Sequence, residues 1–420
     1  MSASLLVLWV FMATRVFSLP PSIHCSKSIL ALPRTSLEQA RRSINTVRKV
    51  NSLTVLSTRT IRRIEEQAFS TLKTHVPSIV RQGEPEGKRV EYPSGTPVIF
   101  ACVSGGSDSM AMLDILSSIC KRVNVLFDLR VVHFDHQLRG KESDQDRDFV
   151  VDACKTVYGI SSSKVHMRFW GTTSNPPHSS ESIQEKARLW RSFELEKLVN
   201  LTRSTTNSER IPEVFVAMAH HADDSVETIL MKLLRGTSIC SIKGIDPLVK
   251  QNGVMKIRPL LRISKADLRS YLIEKGLDWR EDSSNKKNVY QRNKIRNLLI
   301  PLLGEIAGSP KALADRFSEL DQQVRFLGAF VDEELQAGET TQASIFIVQK
   351  EAPVFLERER LHRFLKTKKN GNAVCYKAVE EVWQKLSSTH EKLVELGDSK
   401  YARVKSWKVE VTEKNTDEKQ

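Results

Sequence analysis

Six residues, Ser104-Gly105-Gly106-Ser107-Asp108-Ser109, constrain this chain more than any other stretch. Before them runs Val98-Ile99-Phe100-Ala101-Cys102-Val103, apolar, β-branched and short enough for a buried strand. After them Met110, Met112, Leu113, Leu116 and Ile119 recur at helical spacing. A strand therefore ends in a Gly/Ser loop, and the loop opens a helix. The paired glycines permit positive φ and leave no Cβ to keep a ligand from the backbone. Successive amides, three hydroxyls and a helix N-terminus face one spot, where an anion is favoured. Asp108 is out of place there, because a carboxylate repels phosphate; a bound Mg²⁺ between the two removes the conflict. No Gly-Lys-Ser/Thr follows the glycines, which excludes a Walker A loop. For the loop taken by itself, the plain alternative is a tight strand-to-helix turn with no ligand.

Strands and helices alternate around that loop. Residues 61–80 read as an amphipathic helix, and Gln82 to Gly87 as a linker. Leu126 to Phe134 reads as a second strand, ending in His133-Phe134-Asp135-His136-Gln137-Leu138-Arg139-Gly140. Polar groups at the carboxyl end of a strand are where open parallel sheets bind ligands. A helix from Asp144 to Tyr158 follows, then a strand from Val165 to Trp170 that alternates as an edge strand does. Ser182-Ile183-Gln184-Glu185 offers a capping box for a helix on which Arg188 and Arg191 share a face, although such arginines are usually just solvated. Thr202 to Arg210 reads as a loop, and Val214 to Ala219 as the fourth strand. The string His220-His221-Ala222-Asp223-Asp224-Ser225-Val226-Glu227-Thr228 follows at once, repeating the strand, acidic first turn and helix seen at Asp108. Asp224 and Glu227 share one face of that helix. Acidic residues there often only compensate the dipole, which accounts for Asp223 better than for the whole string.

Arg235-Gly236-Thr237 ends the helix. Beyond it come Arg258-Pro259-Leu260-Leu261, a helix from Ser264 to Lys275, and Trp279-Arg280-Glu281-Asp282-Ser283-Ser284-Asn285. Asn293, Arg296 and Asn297 precede a helix stopped at Pro301. A long amphipathic helix runs from past Gly308 to about Leu335, and another from Ala378 to Leu386. Lys392 to Leu396 and Ala402 to Val411 alternate like two strands around Gly397-Asp398. The pattern is that of an α/β chain: a doubly wound parallel sheet with a smaller helical and α+β C-terminal region.

A net charge of +14 points to a polyanionic partner, most simply nucleic acid. The six cysteines are scattered with no C-x-x-C pair, which argues against a zinc ribbon, a redox dithiol or a cluster motif. Leu5 to Ala13 is a short apolar run with the length of a signal-peptide core, too short to span a bilayer comfortably. From there to Glu65 the only acidic residue is Glu38, among many arginines, serines and threonines. A signal-like core followed by a transit-like segment resembles the bipartite leader of plastids acquired by secondary endosymbiosis. A plastid location is therefore expected, with a plain mitochondrial presequence as the alternative.

Ser104 to Ser109 is similar to the SGGxDS signature of the PP-loop ATP pyrophosphatases, of adenine nucleotide alpha hydrolase-like fold, which cut ATP to AMP and pyrophosphate while adenylating a substrate. That loop, His133 to Arg139, Ala187-Arg188-Leu189-Trp190-Arg191, His220 to Thr228, Arg235-Gly236-Thr237, Arg258 to Leu261 and Trp279 to Asn285 together resemble the tRNA(Ile)-lysidine synthase family in order and spacing. The likeness runs from about Pro97 to Leu303. It implies an ATP-binding catalytic domain over 96–305 and a tRNA-contacting region over 306–412; composition and pattern add a leader over 1–60, a helix and linker over 61–95 and a charged tail over 413–420.

The activity implied is that of a carbon–nitrogen ligase. ATP and Mg²⁺ adenylate the C2 carbonyl of the wobble cytidine in an isoleucine tRNA with a CAU anticodon. The ε-amine of free L-lysine then displaces AMP and leaves lysidine. By the same resemblance Ser104, Gly105, Gly106, Ser107, Asp108 and Ser109 hold pyrophosphate, with Mg²⁺ on Asp108, while His133 and Asp135 lie by the adenine and ribose. His221, Asp224 and Glu227 orient the lysine ammonium and accept its proton. Arg188, Arg191, Arg235 and Arg258 contact the α-phosphate or the anticodon loop. No membrane partner is expected, and a homodimer is one candidate assembly. Two rivals stand beside this reading: a PP-loop tRNA thiolase, whose cysteine motifs have no counterpart here, and a non-catalytic tRNA-binding protein, against which the intact loop and the Asp223-Asp224 pair speak.

Overall fold

Val98, Ile99, Phe100 and Ala101 are at most 4% exposed, so the strand they form must be covered on both faces. Continuous apolar strands of this kind belong in the middle of a parallel sheet. In the computed structural model Val98–Cys102 (β1) pairs in parallel with Asp128–Asp135 (β2) on one side and with Val214–Ala217 (β4) on the other. Val165–Phe169 (β3) edges β2, as its alternation suggested, and Val254–Ile257 (β6) edges β4. The structure describes residues 58–80, 95–122, 124–137, 141–170, 183–205, 211–281, 291–336, 345–349, 351–369 and 374–413. Residues 1–57 of the expected leader, the linker at 82–87, Leu138-Arg139-Gly140, Ser182, Asp282 to Asn285 and most of the charged tail lie outside the described residues.

The sheet order is β3-β2-β1-β4-β6-β5, and it is mixed rather than wholly parallel. Leu248–Gln251 (β5) runs antiparallel to β6 as a hairpin. Its turn is Asn252-Gly253, with φ of 50° and 73°, the pairing that suits a two-residue hairpin. One face of the sheet carries Ile99, Ala101 and Val131. A helix over 58–75 (α1), Ser107–Cys120 (α2), Lys141–Thr156 (α3) and Lys265–Lys275 (α6) pack there through Ile64, Leu72, Leu113, Val150 and Leu268. The other face presents Phe100, Val132 and Val216 to Leu195, Leu198 and Val199 of Ile183–Ser204 (α4). Both faces are covered, so the domain is doubly wound. The helix α4 continues to Ser204, where a loop was expected from Thr202, and the Thr202 hydroxyl donates back to the Leu198 carbonyl at 2.8 Å.

The chain steps from β1 through β2 to β3, then returns across β1 to lay down β4. The carboxyl ends of β1 and β4 are therefore neighbours at a topological switch point. Ala222–Leu234 (α5) leaves β4 there. A helical stretch 291–306 (α7) and Pro310–Gln336 (α8) close on it, with Ile295 and Leu313 packed against Val226 and Leu230. The C-terminal region is built on Val354–Lys368 (α9), Tyr376–Lys385 (α10) and a four-stranded sheet of order β7-β10-β9-β8. Its strands are Ile345–Ile347 (β7), Lys392–Gly397 (β8), Lys400–Lys405 (β9) and Lys408–Glu413 (β10). The expected second strand, Ala402 to Val411, is split by a turn at Ser406-Trp407 with φ of 49° and 65°. A tryptophan at positive φ is held by tertiary bonds: the Trp407 and Ser406 amides donate to the Leu386 and Ser388 carbonyls at 2.7 and 2.9 Å. No described helix is long and apolar enough to cross a membrane.

The helix α1 is part of the core of the sheet domain and not a tether before it. Glu65 and Asp114 both receive Lys275 Nζ, at 3.3 and 2.8 Å, and Tyr271 Oη lies 2.5 Å from Asp114 Oδ2. Leu72 is wholly buried in the same cluster as Ile99. Leu72→Ala should cost about 2–5 kcal/mol of stability in urea denaturation. A loss of less than about 0.5 kcal/mol, the level of a surface substitution, would show that α1 does not belong to the core.

Candidate active site

Two strand-to-helix turns meet at the switch point, and each was visible in the sequence. In the first, Gly105 turns the chain with φ of +90°, a conformation open to glycine. The Gly105 carbonyl accepts the Arg280 amide at 2.9 Å, so the Trp279-Arg280 string braces the loop from outside. Inside it, the Ser104 amide donates to Ser109 Oγ at 3.1 Å, and Ser109 Oγ donates to the Gly106 carbonyl at 2.9 Å. Those two serines therefore shape the loop. Asp108 stands in the first turn of α2 with its side chain 27% exposed.

In the second turn, His221 is the N-cap residue of α5, in extended conformation. Its amide donates to Asp224 Oδ2 at 3.0 Å. Its Nε2 lies 3.6 Å from Asp108 Oδ2 and 3.5 Å from Asp224 Oδ2, and its Nδ1 lies 3.9 Å from Asp223 Oδ1. One buried imidazole thus sits among three carboxylates from two helices. Burial opposes its charge, but Asp108, Asp224 and Asp223 outweigh burial and raise its pKa. Burial likewise opposes ionisation of Asp108, and His221 beside it with the nearby Lys265 overcomes it, holding the carboxyl down to about 2. Asp224 is also lowered, against its burial, chiefly by His221. The neighbouring His220 behaves oppositely: burial takes it down to about 4, and its Nδ1 accepts from Arg258 Nε at 3.3 Å.

Several of the expected groups are engaged within the protein itself. Glu227 is 1% exposed, and both of its oxygens are taken, Oε2 by Arg292 Nε at 2.8 Å and Oε1 by Arg296 Nε. Arg296 Nη2 also donates to Asp224 Oδ1 at 2.9 Å. The carboxylates expected to face an incoming ammonium are instead neutralised by α7, because an ionised group so deeply buried needs a counter-charge. Within α7 the stretch Ile295–Leu299 is π-helical, so Arg296 stands on an altered turn. His221, expected to accept a proton, lies between Asp108 and Asp224, and those carboxylates favour its protonated form and raise its pKa. His133 is buried at the base of the loop, and its Nδ1–H donates to the Val103 carbonyl at 2.8 Å.

The other expected residues divide. Asp135 closes β2, buried, with Oδ1 accepting the Gln137 amide at 2.9 Å and Oδ2 3.7 Å from Arg147. Arg188 and Arg191 are exposed on α4, and with Arg258 they depress the pKa of Lys256, after burial of that lysine. Arg258 itself is anchored, its Nη1 donating to the Asp246 carbonyl at 2.6 Å. Arg235 is a correction: it caps the far end of α5, about 16 Å along the helix from Asp224 at 1.5 Å per residue. Lys265 and Arg292 do not stand out in the sequence, and Arg280 and Arg296, which lie in named strings, carry no role there. For Arg292 and Arg296 the i,i+4 spacing opposite an acidic helix face was a usable signal.

For Mg²⁺ the fit is that of an open site. Among the described residues no group of three or more His, Cys, Asp or Glu could hold a metal ion alone. Mg²⁺ is commonly held by one or two carboxylates together with phosphate oxygens and waters, so Asp108 facing bound phosphates is a sufficient protein donor.

A family model described as a PP-loop domain matches residues 84–303. A tRNA(Ile)-lysidine synthase of Chlorobaculum tepidum is 33% identical over 65% of this chain and 78% of that one. The proteins of the same name from Bacteroides thetaiotaomicron and Bacillus subtilis are 35% and 32% identical, over 56% and 59% of this chain and about half of their own length. A U34-tRNA thiolase from Methanococcus maripaludis is a distant structural likeness at 16% identity and a TM-score of 0.44, covering 63% of this chain and 80% of that one, too remote to bear on activity.

The charge arrangement has a pH signature. Asp108, depressed to about 2, contributes stability that is present above the ordinary carboxylate pKa and lost as pH falls toward 2. His221, raised, contributes stability that is present below about pH 6.5 and lost as pH climbs through its folded value. Urea denaturation of wild type and Asp108→Asn should therefore differ most between about pH 4 and 6.5, with the gap narrowing on both sides. A pH-independent gap would contradict the His221–Asp108 pairing.

Proposed function

This chain belongs to the tRNA(Ile)-lysidine synthase family, and on that premise we propose that it joins free lysine to the wobble cytidine of an isoleucine tRNA with a CAU anticodon. The observation that carries the reading is the meeting of Asp108, in a phosphate-shaped loop, with His221, Asp223 and Asp224 across the switch point. In the first step the cytidine C2 oxygen attacks the α-phosphorus of ATP, and pyrophosphate leaves with the electron pair. Residues Ser104 to Ser109 receive its charge through backbone amides and a helix N-terminus. Mg²⁺, when bound, supplies further positive charge there, and Asp108 would hold it.

In the second step the lysine amine attacks C2 and AMP departs. An ammonium must first be held and deprotonated. Asp223 is the carboxylate of the turn that no arginine holds among the described residues; its oxygen accepts the Lys265 amide at 3.3 Å, and its side chain is 28% exposed. It is the base in this proposal. The exposed Arg188 and Arg191 with Lys256 form a basic surface suited to the single-stranded anticodon loop. The same proposal sets the protein in a plastid, on the signal-like core Leu5 to Ala13 followed by an acid-poor, arginine-rich segment, with a mitochondrion as the alternative.

Two measurements on one preparation test this. Asp108→Ala should cut AMP release with ATP and tRNA by on the order of 10²–10³-fold, the scale for losing one electrostatic stabiliser, while filter binding of tRNA changes little. Wild type should incorporate labelled lysine into that tRNA. AMP release by the variant at the wild-type rate, or no lysine incorporation by wild type, would sink the reading.

A further inference from the structure

Lys265 is the first residue of α6, and Ser264 caps that helix through Oγ, which accepts the Asp267 amide at 3.1 Å. A cation there lies at the positive end of the helix dipole, where helices favour anions. The position is rigid. The Ala222 amide donates to the Ile263 carbonyl at 2.9 Å, the Lys265 amide points at Asp223 Oδ1, and Leu260 and Ile263 are wholly buried. The tip is not. Lys265 Nζ is 3.7 Å from Asp108 Oδ2, too long for a hydrogen bond, and its side chain is 34% exposed. A fixed backbone thus carries a loosely held ammonium to the mouth of the phosphate loop, beside a carboxylate that His221 already balances.

We propose that Lys265 is a substrate-contacting residue for the adenylation step, taking the outer phosphates of ATP. Resting on the function proposed above, the step is an exchange of partners. The Lys265 ammonium turns from Asp108 to the β- and γ-phosphate oxygens, freeing the carboxylate. As the cytidine oxygen bonds to the α-phosphorus and the bond from that phosphorus to the bridging oxygen breaks, the electron pair departs with pyrophosphate, whose added charge meets Lys265. A lysine serves here as a point charge, so arginine should replace it in part.

The test is calorimetric binding of ATP and of inorganic pyrophosphate, each with Mg²⁺, to the full chain and to Lys265→Ala, Lys265→Gln and Lys265→Arg. The neutral variants should bind pyrophosphate about tenfold or more weakly, the loss of one charge-assisted bond, while tRNA affinity is unchanged. Lys265→Arg should retain binding within about threefold. Thermal midpoints should hold or rise, since alanine removes an unfavourable cation from the helix start. Wild-type pyrophosphate affinity in both neutral variants, or equal losses in Arg and Ala variants, would overturn the assignment. If wild type releases no AMP with tRNA yet the neutral variants lose pyrophosphate, the phosphate contact stands and the proposed substrate falls.

Discussion

Carboxylates that converge in a protein interior have to be neutralised, and this structure is arranged around that requirement. Asp224 and Glu227 are 6% and 1% exposed, and Asp108 faces Asp224 across a single imidazole. Ionised groups so placed are costly unless paired and hydrogen-bonded. The cations come from three places: His221 from the turn itself, Lys265 from the start of α6, and Arg292 with Arg296 from α7. Of these, Arg292 and Arg296 tie a separate segment, α7, to the switch point. Charge balance thereby fixes where α7 lies, with Ile295 against Val226 and Leu230 doing so from the apolar side.

The two histidines show how finely position decides charge. His220 and His221 are adjacent, yet burial and Arg258 lower the pKa of one while three carboxylates raise that of the other. A residue type named in a motif therefore has no single role. The same holds for the loop serines, which are spent on internal bonds that set its shape. What remains for a phosphate is backbone, helix N-terminus and the exposed parts of Asp108 and Lys265.

The helix α5 also links the site to the rest of the chain. Its first turn holds Asp223 and Asp224, and its end meets the C-terminal region, where the Tyr376 amide donates to the Gly236 carbonyl at 2.8 Å and Ser238 bonds Glu359. At 1.5 Å per residue the helix spans roughly 20 Å. Arg235 belongs to that junction. Its motif was legible, but its distance from the chemistry was not, since a helix carries neighbours in sequence steadily apart.

Much of this protein could be read from its residues. The buried run at β1, the Gly/Ser turn and the repeated acidic turn at Asp224 specify a doubly wound sheet with its reactive edge at two adjacent loops, because strand burial and glycine geometry are local properties. The Asn252-Gly253 and Ser406-Trp407 turns were not read, the first an overlooked hairpin signal. The second is a residue pair tolerated at positive φ by bonds to a distant loop. Sequence alone also marked Asp108, His221, Asp224 and Glu227 as belonging together. Only the tertiary structure decided what each is paired with, since Arg292 and Arg296 reach Glu227 from about 65 residues away. Local patterning determines which groups stand at a strand end; the counter-charges that set their roles arrive from wherever the chain folds back.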